Sequence, residues 1–484
     1  MSTARSSHSQ SYDALTYYDE MYESDLTVRR HYGAIQHAFA TMKPAELAAR
    51  QLSIEKRMLE EGITFTLYAP DQPEPLERTI PFDYVPRVIP GAEWDFIERG
   101  LVQRVKALNA FTYDIYHEGR IMRDGLIPRR MVVGNRYFRP EMSGIEVPLH
   151  AYMTTCGIDL IRDEQGQYYV LEDNLRSPSG FSYLYQGRAL MREVFHDMYL
   201  SSTVRDVDRS MNDFLQTLRS IAPGGKRNPL IVLLTPGVYN SAYYEHTYLA
   251  QQMGIHLVEG RDLVYKEHKI YLRDLRGLRQ VDVIYRRIDD DYLDPLAYQP
   301  DSVLGVPGIM NAYRAGNVTI ANAPGTGVAD DKAVYAFVPE MIRYYLNEEP
   351  ILPNVPTYIL SRKEDREYAL EHLDELVVKE TSLSGGYGML IGPSASKQEI
   401  NRFADAIRQD PDRYIAQTTM QLSRAPIMLN GAMTPRHIDL RAFVLMGQEP
   451  IVIPGGLTRV AMKEGSLVVN SSQGGGVKDT WVLK

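Results

Sequence analysis

The sequence predicts an α/β protein built from α+β lobes, with a parallel-sheet domain inserted between them. Three observations predict it. A hairpin pattern over 157–175 ends in Glu172-Asp173-Asn174. A βαβ pattern follows, with an apolar run at Ile231–Leu234, a helical stretch at about 242–253 closed by Gly254, and a second strand at Ile255–Val258; this order implies parallel strands. The final third alternates short strands with turns, and one strand, Leu376–Lys379, ends in a lysine just before Ser384-Gly385-Gly386-Tyr387-Gly388. The 484 residues exceed what one hydrophobic core serves. Four segments are expected: a helical segment (1–80), a part carrying the metal-type residues (81–222), a parallel α/β domain (223–328), and a lobe with the lysine, the glycine loop and two arginine strands (329–484).

Residues 1–12 are polar, lack apolar periodicity and read as disordered. From 13 to 62 the pattern is helical, with Leu47, Leu52, Ile54 and Leu59 near helical spacing and a stop at Gly62. A strand at Phe65–Tyr68 precedes a loop punctuated by Pro70, Pro73 and Pro75. Trp94, Ile97, Leu101, Val105, Leu108 and Phe111 fall on one face of a helix over 93–117. In the 157–175 hairpin, Asp163–Gly166 form the turn. After Pro223-Gly224-Gly225 the βαβ unit continues into a hairpin at Leu263–Leu272 and strands at Val281–Tyr285 and Thr319–Ala321, then a helix over 331–346 opened by Asp330 and Asp331. The remaining strands are predicted at Glu375–Lys379, Met389–Ile391, Tyr414–Gln417, Ile438–Leu445, Pro450–Ile453 and Ser466–Asn470, with one helix at 397–408.

Composition excludes several classes. The net charge of −9, without a basic block, disfavours nucleic-acid binding. One cysteine, Cys156, excludes an intramolecular disulfide and a cysteine-rich zinc site, and reads as a small buried residue. No apolar run reaches membrane-span length, and the polar start does not read as a signal peptide, so a soluble cytoplasmic protein is expected.

The chemistry-bearing residues form two groups. Asp159, Glu172 and Asn174 are oxygen donors on paired strands, a set suited to Mg²⁺, which takes oxygen ligands and shares them with phosphates. Asp173 should point the opposite way, because side chains alternate along a strand. Lys379 adds a point charge beside the loop Gly385, Gly386, Tyr387 and Gly388, whose backbone N–H groups suit phosphate. The loop is expected to act as a lid over nucleotide. Together these groups describe Mg-ATP. Lys332, at a helix start, and Gln417, at a strand end, are further nucleotide candidates. Arg441 and Arg459 are planar forks suited to phosphate oxygens, and Asn470 with Gly474-Gly475-Gly476 reads as a stretch closing over substrate. The pair Glu245-His246 carries no assignment, and Arg286-Arg287 with Asp289–Asp291 reads as a solvated charge run.

With the tail placed before the head, these motifs resemble the ATP-grasp site of glutathione synthetase-type ligases. There an arginine strand, a second arginine and an Asn/Gly-rich stretch precede an Asp and a Glu-x-Asn. Here Asp159 and Glu172-Asp173-Asn174 come first, and Lys379, Arg441, Arg459 and Asn470 follow. The chain therefore resembles circularly permuted ATP-grasp proteins, a group that includes glutathionylspermidine synthetase-like proteins and a related bacterial branch. The resemblance implies ATP and Mg²⁺, and ligation of a small-molecule or peptide carboxylate to an amine through an acyl phosphate, with Arg441 and Arg459 catalytic. It also implies that Asp159 and Glu172 share one cleft with Lys379, Arg441 and Arg459, and that the chain from Ser466 onward runs beside about 80–120. One departure is Gly157, where glutathionylspermidine synthetases carry an arginine two residues before the metal aspartate. It keeps open a nucleotide- or peptide-binding protein without ligation, or a small-molecule phosphotransferase. Oligomeric state is not readable from the sequence.

Overall fold

A computed structural model describes residue 12 and residues 17–67, 76–381, 388–470 and 474–484. The expectations for residues 1–11, the proline loop, and Gly385, Gly386 and Tyr387 lie outside these residues. The architecture is mixed α/β, as predicted, and rests on three main sheets.

The central sheet has seven strands. Six lie in the order Phe82–Ile89, Gly476–Val482, Pro450–Val460, Ala432–Met446, Thr155–Arg162 and Tyr168–Asn174, and Arg424–Leu429 pairs with the first half of Ala432–Met446. Residues far apart in the chain thus become neighbours. Arg441 sits opposite Asp159, and Asp159 opposite Glu172. Gly476–Val482 runs parallel to Phe82–Ile89, which brings the chain's end beside the segment where the expectation put it.

Alternation sorts the two faces of this sheet. Leu440, Ala442 and Val444 belong to the core that contains the long helix Gly91–Tyr116. Phe443 and Leu445 belong to a second core, with Phe181 and Phe214 of the helices Phe181–Val194 and Asp208–Ser220. Asp439 and Arg441 share this second face, beyond the apolar cover. The Gly91–Tyr116 helix matches its prediction: Trp94, Ile97, Leu101, Val105, Leu108 and Phe111 are all fully buried.

A four-stranded antiparallel sheet carries Lys379, in the order Thr357–Ile359, Tyr414–Thr418, Leu376–Glu380, Met389–Ile391. Leu376, Val378, Leu390 and Ala416 pack with Ala369, Ala404 and Ile407 of its helices. The alternate residues Val377, Lys379 and Gln417 face a cavity. The parallel sheet, ordered Thr319–Ala321, Val283–Arg286, Ile231–Leu234, His256–Val258, has the predicted βαβ unit.

Several local expectations fail. The 13–62 helical stretch is two α-helices, Gly33–Thr41 and Pro44–Glu60, because Pro44 opens a new helix. Leu52 and Leu59 are exposed, not on its buried face. The 331–346 helix is interrupted once, after Lys332–Tyr335; Val338–Met341 runs directly on into the wider turns of Ile342–Leu346, and of the two aspartates only Asp331 caps the start. Ser466–Asn470 forms no strand; the strand at the chain's end is Gly476–Val482, and it is fully buried. Among the described residues, no helix is long and apolar enough to cross a membrane.

Candidate nucleotide and substrate site

Two cavities adjoin at Glu172 and Lys332, which line both. The first, of about 150 Å³, lies between the lysine sheet and the central sheet. Its apolar lining includes Leu171, Val355, Leu422 and Leu467, which pack in one cluster, with Val377 and Ile391; its polar lining includes Glu172, Lys332, Lys379, Asp439, Arg459 and Asn470. The second, of about 360 Å³, lies between the hairpin end and the parallel sheet, and includes Asn174, Arg176, Arg287, Asp289 and Asp330.

Glu172 and Asn174 project from one face of the hairpin's second strand. Between them Asp173 turns to the opposite side and forms a two-pronged pair with Arg104 of the long helix, at 2.6 and 2.7 Å. The alternation argument for Asp173 therefore holds. Glu172 receives Lys332 at 3.0 Å. Burial works against its charged form, but Lys332, with Lys379 further off, keeps its carboxyl below the usual range. Asn174 Nδ2 is buried with no partner among the described residues.

Asp159 lines neither cavity. Its two oxygens take Arg441 Nε at 2.7 Å, Arg441 Nη2 at 2.8 Å and Arg459 Nη2 at 2.7 Å. Burial alone would raise its pKa; the two guanidinium groups overcome that and pull it down to about 2. Asp439, two residues before Arg441 on the same strand face, holds Arg459 from the other side. Asp159, expected as a metal ligand, is thus in this structure the anchor of the two arginine forks. Its strand partner is Arg441, and a directly opposed arginine is the nearest counter-charge for a buried carboxylate. Arg459 faces the smaller cavity. Arg441 stays behind it, with Nη1 3.3 Å from the Ser179 carbonyl.

Gly157 explains its own departure. A Cβ there would sit 2.9 Å from Pro178 Cβ and 3.4 Å from Arg441 Cδ. The space that a side chain at 157 would need is filled by Pro178 and the Arg441 stem, so the local cation comes from the neighbouring strand.

Lys379 Nζ donates to Gln417 Oε1 at 2.6 Å, and Gln417 Nε2 donates to Thr357 Oγ1 at 3.0 Å. The Gln417 side chain, a nucleotide candidate by its place at a strand end, holds the lysine ammonium. Burial lowers the Lys379 pKa to about 8, with Lys332 adding to the fall and Glu172 and Asp159 opposing it. Gly388 is described and adopts φ 66°, a conformation that favours glycine, at the start of its strand.

Sequence reasoning missed Arg287 and His246 of the larger cavity, and the buried charges around them. Arg286, Arg287 and Asp290 are buried, not solvated, and so are Glu245 and His246. Arg287 donates to Glu245 Oε1 at 3.0 Å, to Ser179 Oγ at 2.6 Å and to the Pro178 carbonyl at 2.7 Å. Arg176 donates to Asp330 at 2.6 Å. The only sequence signal was a charge run at the end of a parallel strand, which is where such sheets place ligands.

An antiparallel sheet and a mainly antiparallel one, facing each other across a lysine- and arginine-lined cavity next to a parallel sheet, suit an ATP-grasp architecture. The chain belongs to the circularly permuted ATP-grasp type 2 family, which matches residues 86–461. It is 50% identical over 476 residues to an uncharacterized protein of Synechocystis sp., covering 98% of both chains. A Mycobacterium tuberculosis protein, also uncharacterized, is 50% identical over 467 residues, covering 96% of this chain and 84% of its own length. A Frankia alni protein named for glutamate–cysteine ligase is 40% identical over 473 residues, which cover 96% of this chain but 54% of that protein. In three dimensions the chain is similar to the apo form of a glutathione synthetase-like effector from Globodera pallida. The TM-score is 0.58 at 13% identity, covering 91% of this chain and 98% of the effector; this likeness concerns the fold alone.

Proposed function

We propose that the chain is an ATP-dependent carboxylate–amine ligase working through an acyl phosphate. One observation carries this reading: Glu172, Lys332, Lys379 and Arg459, from separate stretches of chain, line one cavity together with the apolar cluster of Leu171, Val355, Leu422 and Leu467. The apolar cluster suits a nucleobase, and the cations suit phosphates. Family membership supports ATP and Mg²⁺ as the general requirement. The Frankia relative's name supports ligation as the kind of chemistry, although this chain spans only 54% of that protein.

The donor set fits Mg²⁺. Carboxylate and amide oxygens are ligands that Mg²⁺ takes alongside waters and phosphate oxygens. Glu172, which lines both cavities, and Asn174, which lines the larger, would hold the ion through carboxylate and amide oxygens, with Asp159 behind them. When bound, the ion neutralises phosphate charge.

The chain's own residues do the rest. Lys379 and Lys332 bind phosphate oxygens, and Gln417 aims Lys379. Arg459, pre-oriented by Asp159 and Asp439, stabilises charge on the transferring group without reorganising during the reaction, and Arg441 holds Asp159 in place behind it. A substrate carboxylate oxygen bonds to the γ-phosphorus as the bond to the β–γ bridging oxygen breaks, releasing ADP. The amine, having lost one proton, then bonds to the acyl carbon. The acyl C–O bond to phosphate breaks, phosphate leaves, and the nitrogen loses its second proton.

The test is ADP release with panels of carboxylates and amines. ADP is expected only with both present. ADP formed with one substrate alone favours phosphotransfer, and nucleotide binding without ADP under any pairing favours a binding protein.

A further inference from the structure

We infer that the larger cavity holds the amine substrate, and that this substrate is a zwitterionic α-amino acid rather than a polyamine. The inference rests on the ligase reading for the word substrate, but the binding site stands on its own observations.

Position is the first. In the parallel sheet, Ile231–Leu234 connects through the helix Tyr243–Met253 to His256–Val258 on one side, while its neighbour Val283–Arg286 connects to Thr319–Ala321 on the other. The chain direction therefore diverges between these two central strands, and the crevice at their carboxyl ends is where open α/β sheets bind ligands. Pro236 and Asn240, after the first strand, and Arg287 and Asp289, after the second, line the cavity at this point. Its volume of about 360 Å³ is at the small end of the roughly 300–1,000 Å³ of ligand sites.

Unspent polar atoms are the second observation. Asn174 Nδ2, Ser177 Oγ and Arg287 Nε belong to residues lining this cavity, and each is buried without a hydrogen-bond partner among the described residues. Native structures leave few such groups, so three around one cavity mark a place built for a polar ligand.

Charge selects the class of ligand. Arg176, Arg287 and Lys332 are matched by Glu172, Asp289 and Asp330. Most of these charges are committed within the protein: Arg287 to Glu245, Lys332 to Glu172, and Asp330 to Arg176 at 2.6 Å. One pair is loose. Arg176 Nη1 and Asp289 Oδ1 are 3.4 Å apart, whereas charge-assisted bonds are about 2.7–2.9 Å. An α-amino acid entering here gives its carboxylate to Arg176 and its ammonium to Asp289, replacing one long contact with two matched ones. A polyamine can take Asp289 but brings no anion, so Arg176 keeps Asp330 alone and gains no second partner.

The experiment is calorimetric titration of the full chain, with and without Mg²⁺ and the non-hydrolysable analogue AMP-PNP. The titrants are each standard amino acid, putrescine and spermidine. At least one amino acid should bind saturably, about tenfold or more tighter than either polyamine. Asp289→Asn and Arg176→Gln should each weaken that amino acid about tenfold and leave AMP-PNP affinity unchanged. Asp289 is half-exposed, so its variant tests the site without threatening the fold. Polyamine binding as tight as any amino acid, no amino-acid binding, or variants that weaken AMP-PNP but not the amino acid would overturn the inference. Failure of wild-type chain to bind AMP-PNP sinks the ligase reading instead; amino-acid binding in its absence still upholds the site.

Discussion

Burial of Lys379 against the cavity wall sets a pH dependence that a surface lysine would not have. Its ammonium is held near a pKa of about 8, below the ordinary lysine value, since lost hydration outweighs the attraction of Glu172 and Asp159. Below that pH it is charged and attracts phosphate; above it, the charge is lost. Nucleotide affinity should therefore fall as pH rises through about 8, and Lys379→Arg, permanently charged, should flatten the profile. An unchanged slope in the arginine variant would remove Lys379 from phosphate binding. At the opposite wall, Glu172→Gln should keep the fold, because the side chain faces a cavity, and should lose the rise in Tm that Mg-ATP brings to the parent; a full Tm shift in the variant would end the metal assignment. Gly157 makes a packing prediction. A methyl group there meets Pro178 at 2.9 Å, so Gly157→Ala should cost about 1–3 kcal/mol of stability in a denaturant titration.

Among the elements, the strand Gly476–Val482 carries more of the fold than its place in the chain suggests. It lies between Pro450–Val460 and Phe82–Ile89, and every residue in it is buried. Trp481 is fully enclosed and its indole N–H donates to Asp479 at 2.6 Å. Trp481→Ala should then destabilise by about 3–5 kcal/mol, read as a lower midpoint in urea; a loss under 1 kcal/mol would mean the strand is peripheral. The helix Lys397–Gln409 offers a smaller contrast. Ser396 and Glu399 form a reciprocal capping box at its start. That pattern was readable from spacing alone.

For the whole molecule, the functional consequence is that nucleotide must bridge two sheets that are separate in the chain. Lys379 stands on one, Arg459 and Glu172 on the other, and Lys332 on the link between domains. Bound Mg-AMP-PNP should slow amide hydrogen exchange in 376–391 and in 438–460 together. Protection confined to one sheet would mean that the cavity between them is not the nucleotide site.

Local pattern was enough for the hairpin expected at 157–175, the βαβ unit at 231–258, the long helix expected at 93–117, and the types of residue that bear the chemistry. Each depends on neighbours within a few positions: alternation on a strand, helical spacing, a glycine at a turn. Alternation alone separated Asp173 from Glu172 and Asn174. What it could not settle was the partner of each charge. Asp159 reads as a free oxygen donor until strand pairing sets Arg441 opposite it, 282 positions away in sequence. Gln417 reads as a strand end until the sheet sets it against Lys379. Arg287 reads as solvated until Glu245 and Ser179 enclose it. A residue type and its spacing come from the sequence by itself; which opposite charge neutralises it, and so which groups stay open to a ligand, is decided by long-range strand order, because Coulomb attraction and desolvation act over distances in space and not along the chain.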